Sequence, residues 1–177
     1  MIFASAGLVL VGVVGVLNLA ILLTMLRRWR ELAATATPPA AAVRMIDRIP
    51  AFSARAVDGT AVTERTLLGR ETLVGFFSLT CKACVDSVPL FRGHAERLRA
   101  GGGVSLAIVH GDGAAGSELA AALDEVMDIV IAEDANAELS RRYGAENYPT
   151  YARYRADGMV TSAGAGVAAL RTELVTS

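Results

Sequence analysis

The sequence predicts an α/β domain with a central sheet, preceded by one transmembrane helix. Three observations carry this: short apolar runs alternate with segments of helical spacing after residue 70, the first 26 residues hold no charged side chain, and an Ala/Thr/Pro-rich stretch lies between the two regions. At 177 residues the chain has room for one domain and an appendage. It divides into an anchor at 1–30, a linker at 31–45 and a folded domain at 46–177.

"GLVLVGVVGVLNLAILLTML" (7–26) is almost wholly apolar. At about 1.5 Å per residue, some 20 such residues cross a hydrocarbon layer of about 30 Å. No basic segment precedes it and the nearest A-x-A pattern, Ala34-Thr35-Ala36, lies beyond "RRWR", so an uncleaved anchor is expected rather than a signal peptide. Arg27, Arg28 and Arg30 follow the helix, and the positive-inside rule then puts the domain in the cytoplasm. "ELAATATPPAAAV" reads as a tether.

In the domain, "ETLVGFFSL" suits a buried strand and runs straight into "CKAC". "CVDSVPLFRGHAERLRA" has helical spacing and ends at "GGG", with His94 expected on its polar face. "VSLAIVH" (104–110) is a second buried strand, with His110 at its end beside a loop. "GSELAAALDEVM" (116–127) is a helix, "DIVIA" a strand, and "NAELSRRYG" a helix closed by Gly144. "TYARYRADGMVTSA" is a hairpin turning at Asp157-Gly158, and "GVAALRTELVTS" fits a final helix.

A net charge of −1 gives no field for nucleic acid, and two cysteines three residues apart exclude a disulfide-stapled scaffold. Cys81 and Cys84 carry the chemistry. Where a strand turns into a helix, the first thiol sits at the helix N-terminus, whose unpaired N–H groups and dipole favour a thiolate. Lys82, the only lysine in the chain, adds a positive charge nearby and is expected to help tune that thiol. Cys81 is then the attacking residue, and Cys84, one turn on, the resolving one.

These residues resemble the membrane-anchored thioredoxin-like oxidoreductases of the TlpA/ResA type, nearest the methylamine-utilisation (MauD-like) subgroup. "IPAF" with "DGT" resembles the family's opening hairpin, CxxC follows an apolar strand, Pro89 stands five residues after Cys84, and Pro149 in "NYPTY" matches the family's cis-proline. The resemblance implies a thioredoxin-like fold and a substrate-docking edge at Tyr148, Pro149 and Thr150. It also implies disulfide-containing client proteins outside the cytoplasm and electrons from an integral membrane thiol-transfer protein of the CcdA/DsbD kind, against the arginine rule. The acidic residue of the family's reductive members, three after the second cysteine, is Ser87 here, and the buried aspartate of thioredoxin itself, six before the first, corresponds to Gly75, which leaves the direction of electron flow open.

Other chemistries fit less well. Cys81, Cys84, His94 and His110 are the only cysteines and histidines and match no zinc pattern, so neither metal nor cofactor is expected. A peroxiredoxin needs proline and threonine where Val74 and Ser78 stand, and "GGG" lacks the strand-to-helix setting of a phosphate loop. A non-catalytic thioredoxin-fold binding module is the alternative from another class.

Overall fold

The computed structural model describes residues 45–166, together with Gly12, Gly15, Leu17, Asn18, Thr24 and Met25, which are helical. Apart from those six positions, the expected anchor at 1–30 lies outside the described residues, as does the expected helix beyond Gly166. Among the described residues no helix is long and apolar enough to cross a membrane.

Strands β1 (Ser53–Arg55) and β2 (Ala61–Thr63) form an antiparallel hairpin. Its turn closes on Gly59, at φ 86°, and Asp58, whose carboxylate accepts the Thr60 N–H at 2.8 Å. The short helix α1 (Glu64–Leu67) leads to β3 (Thr72–Ser78), then come α2 (Lys82–Ala100) and β4 (Val104–His110). A 3-10 turn at Ala114–Gly116, α3 (Glu118–Asp124), β5 (Ile129–Glu133), α4 (Glu138–Tyr143), β6 (Thr150–Tyr154) and β7 (Val160–Ala165) complete the order.

The five-stranded sheet runs β5-β4-β3-β6-β7. β3, β4 and β5 are parallel, while β6 and β7 pair antiparallel, giving a mixed sheet. Every residue of β3 is buried, as a central strand covered on both faces requires. Its side chains alternate between two cores. Leu73 and Phe77 pack with Phe91 and Leu98 of α2 and Leu123 of α3, whereas Val74 and Phe76 pack with Phe52, Leu139, Tyr143 and Tyr154 on the other face. The hairpin covers the outer edge of β5 through the Ala56–Ile131 bridge and the Val57 N–H bond to the Val130 carbonyl at 2.8 Å.

Three details depart from the sequence reading. The third helix starts at Glu118 rather than 116, because the Ser117 hydroxyl accepts the Ala120 N–H at 3.1 Å and fixes the N-cap there. His94 is 3 % exposed instead of lying on a polar face. Its spacing explains this: three residues after Phe91 and four before Leu98, it falls on the stripe that α2 buries. Thr150, expected to line a docking edge, is fully buried at the start of β6.

Candidate active site

The parallel strand β3 delivers the chain to the sheet's C-terminal edge, where Leu79 and Thr80 turn it into α2. The Leu79 N–H bonds to the His110 carbonyl at 3.2 Å, and Thr80 is held by the Ser78 hydroxyl at 3.3 Å. Cys81 is the N-cap of α2, in extended conformation, with its N–H on the Ser78 carbonyl at 3.1 Å. Its thiol therefore stands at a helix N-terminus, half-buried, while Cys84 is wholly buried behind it; both are free thiols.

Burial, with the neighbouring Cys81 as the next cause, pushes the Cys84 thiol up to about 12. Neither Gly75 nor Ser87 offers a carboxylate to accept its proton. At Gly75 an added Cβ would come within 2.7 Å of the Phe91 ring and 2.8 Å of the Phe77 ring, whose own centroids are 4.8 Å apart. Those two aromatics occupy the space that a buried aspartate needs. Ser87 is buried too, and its hydroxyl donates to the Cys84 carbonyl at 2.7 Å rather than to the thiol.

The loop before β6 supplies the other half of the site. The Tyr148-Pro149 peptide is cis. The Cys81 thiol donates to the Tyr148 carbonyl at 3.3 Å, so the nucleophile touches the backbone just before the proline. Thr150 turns its hydroxyl inward to the Asn147 carbonyl at 2.7 Å, and the Pro149 carbonyl takes the Gly166 N–H at 2.7 Å. Of the three residues expected at a docking edge, Tyr148 reaches the surface; Pro149 and Thr150 brace it from within.

A family model, that of the AhpC/TSA family, matches residues 45–165, which contain both halves of this site. The chain belongs to the AhpC/TSA family. Among solved structures it resembles a candidate thiol:disulfide interchange protein DsbE from Chlorobium tepidum, at 20 % identity and TM-score 0.60 over 76 % of this chain and 97 % of that one. A secreted Mycobacterium tuberculosis disulfide oxidoreductase homologous to E. coli DsbE matches at 20 % identity and TM-score 0.56, covering 71 % of this chain and 96 % of that one. The exposed lipoprotein thioredoxin Etrx1 of Streptococcus pneumoniae matches at 25 % identity and TM-score 0.53, covering 72 % and 97 %. No curated protein sequence matches this chain. The expected thioredoxin-like fold is thus the one observed, and it is the fold of thiol-disulfide oxidoreductases in this AhpC/TSA member.

The remaining site residues divide by role. Lys82 reaches into solvent, 89 % exposed, and its ammonium lies 3.5 Å from the exposed carboxylate of Asp86. Water and Asp86 both screen that charge from the Cys81 thiol. His110, read from sequence as a strand-end residue only, stacks on Tyr148 with ring centroids 4.5 Å apart and planes tilted by 39°. Tyr148 and Ser140 share a side-chain hydrogen bond, and burial raises the Tyr148 phenol above its ordinary value. The Ser140 hydroxyl in turn donates to Glu133. Glu133 also accepts the Leu139 N–H at 2.8 Å and the Ser140 N–H at 3.2 Å, capping α4, whose own N-cap residue Ala137 offers no side-chain acceptor. A groove of 790 Å³ lined by Phe52, Glu64, Ile131, Glu133, Glu138 and Arg142 lies beyond Glu133 and includes neither cysteine. Cys81 is instead partly open to solvent.

Proposed function

We propose that the chain is a membrane-anchored thiol-disulfide oxidoreductase that exchanges disulfides with protein clients outside the cytoplasm, in a maturation role like that of TlpA, ResA and MauD-type proteins. The observation that carries this reading is the pairing of thiols with opposite access: Cys81, half-exposed at a helix N-terminus against the Tyr148 carbonyl, and Cys84, buried one turn behind.

The Cys81 thiolate attacks one sulfur of a client disulfide, forming a mixed disulfide and releasing the client's other sulfur as a thiolate. The Cys84 thiolate then attacks Cys81 Sγ, so the client leaves with its second thiol and the Cys81–Cys84 disulfide forms. The client is reduced by two electrons and the pair oxidised by two. A membrane thiol-transfer protein of the CcdA/DsbD kind returns the pair to the dithiol, and an anchored domain meets such a donor at raised effective concentration. The anchor is supported by the uncharged apolar run at 1–26 and by the exposure of the helical Leu17 and Met25, 60 % and 63 %. Placement outside the cytoplasm is favoured by the secreted and surface-exposed homes of two structural relatives, and opposed by Arg27, Arg28 and Arg30.

Thiol labelling of intact cells with a membrane-impermeant maleimide tests the reading. Labelling of Cys81 without prior reduction is the expected result and marks an external pair kept as the dithiol. Labelling only after lysis places the domain in the cytoplasm and removes the proposed clients and donor.

A further inference from the structure

We infer that His110 is a positioning residue of the exchange, setting the distance between Cys81 and the loop that receives the client. This rests on the oxidoreductase reading above. His110 is the point at which the two halves of the site are tied to each other. Its carbonyl accepts the Leu79 N–H at 3.2 Å, two residues before Cys81. Its ring stacks on Tyr148 at 4.5 Å, and the Tyr148 carbonyl accepts the Cys81 thiol at 3.3 Å. A closed circuit results: Cys81 to the Tyr148 backbone, the Tyr148 ring to His110, and the His110 backbone to the turn that presents Cys81.

The sheet makes this circuit stiff. His110 sits opposite Ser78 at the end of β3 and opposite Glu133 at the end of β5, so it moves with neither loop. Glu133, through Ser140, grips the far end of the same Tyr148 side chain. The aromatic ring is held on its face by His110 and at its hydroxyl by Ser140.

The imidazole occupies this place at a cost. Its Nδ1 is buried without a hydrogen-bond partner, which an apolar ring would avoid. The ring's aromatic contact is the one with Tyr148. A small disulfide needs only an accessible Cys81, whereas a polypeptide must lie along the Tyr148 backbone while Cys81 attacks. The spacing set by His110 therefore matters for the second kind of substrate and little for the first.

The test uses the pre-reduced full-length protein in detergent and follows its oxidation by quenching and alkylation. Insulin serves as the polypeptide disulfide and 2-hydroxyethyl disulfide as the small one. In His110→Ala the ratio of the insulin rate to the small-disulfide rate falls about five- to tenfold, as loss of a stacked contact allows, and His110→Phe restores it. If His110→Ala does not fold, His110→Asn, which also lacks an aromatic face, gives the same comparison. An unchanged ratio, an equal fall with both disulfides, or a His110→Phe protein as impaired as His110→Ala overturns the inference. If the wild type reacts with 2-hydroxyethyl disulfide but not with insulin, the proposed action on protein clients itself fails and takes the inference with it.

Discussion

The two halves of the site are built in opposite ways. The cysteine turn is local: the bonds from Cys81 N–H to the Ser78 carbonyl at 3.1 Å and from Cys84 N–H to the Cys81 carbonyl at 3.0 Å close it within seven residues. The Tyr148 loop is held from afar, by a thiol 67 residues away, a ring on β4 and a hydroxyl on α4. A nucleophile needs a helix end, which a short stretch of chain provides. A docking edge needs a fixed distance from that nucleophile, which only the assembled sheet provides. Loss of a cysteine in the first half accordingly abolishes chemistry, and substitutions in the second tune which partners are served.

The largest effect expected from breaking this contrast is that of Cys81→Ser, since a serine hydroxyl neither ionises at neutral pH nor forms a disulfide. Insulin reduction by this variant falls to the uncatalysed background, and residual turnover in a turbidity assay would move the nucleophile elsewhere. Next comes Gly75→Asp, which introduces the carboxylate that thioredoxin carries at this place but drives it into Phe91 and Phe77. A urea titration should show about 2–4 kcal/mol lost, from overpacking and an unpaired buried carboxyl. A neutral result would mean that the aromatic pair can open.

The buried thiol gives a smaller, pH-dependent effect. Burial raises Cys84 from an ordinary thiol value of 9.0 to about 12, so the folded protein holds a proton that the unfolded chain gives up first. That contribution is complete below pH 9 and is lost as pH rises towards 12. Relative to Cys84→Ala, the reduced wild type should lose up to about 1.4 kcal/mol of stability per pH unit above pH 9, read from urea midpoints at two alkaline pH values. Taking the difference removes the raised Tyr143 and Tyr154 phenols, which are common to both proteins. The smallest effect belongs to Lys82→Gln. An exposed i,i+4 pair contributes about 0.5 kcal/mol or less, and insulin reduction should stay within about twofold of wild type. A tenfold fall would return Lys82 to the tuning role its position in the sequence suggested.

The same contrast explains what the sequence made legible. β3 and α2 were readable because a short, largely apolar run and a 3.6-residue stripe each follow from burial on one element. Cys81 and Cys84 followed from their junction, and the β6–β7 hairpin from Asp157-Gly158, with Gly158 at φ 80°. Pro149 was placed by resemblance rather than by any local pattern. His110, Ser140 and Glu133 were missed because their roles arise from parallel registry. His110 meets Glu133 only because β4 and β5 pair in that register, and nothing within several residues of either announces it. The one available signal was an imidazole closing the otherwise largely apolar "VSLAIVH". The burial of the Thr150 side chain was not legible, since the residue after the proline begins a central strand, where side chains turn inward.

The order of the two thiols is the central claim, and trapping tests it most directly. Full-length Cys84→Ser and Cys81→Ser proteins are each mixed with insulin, quenched with acid and mapped by mass spectrometry without reduction. The account predicts a stable mixed disulfide through Cys81 in the Cys84→Ser protein and none in the Cys81→Ser protein. A mixed disulfide through Cys84 in the Cys81→Ser protein, with nothing trapped in Cys84→Ser, would contradict it.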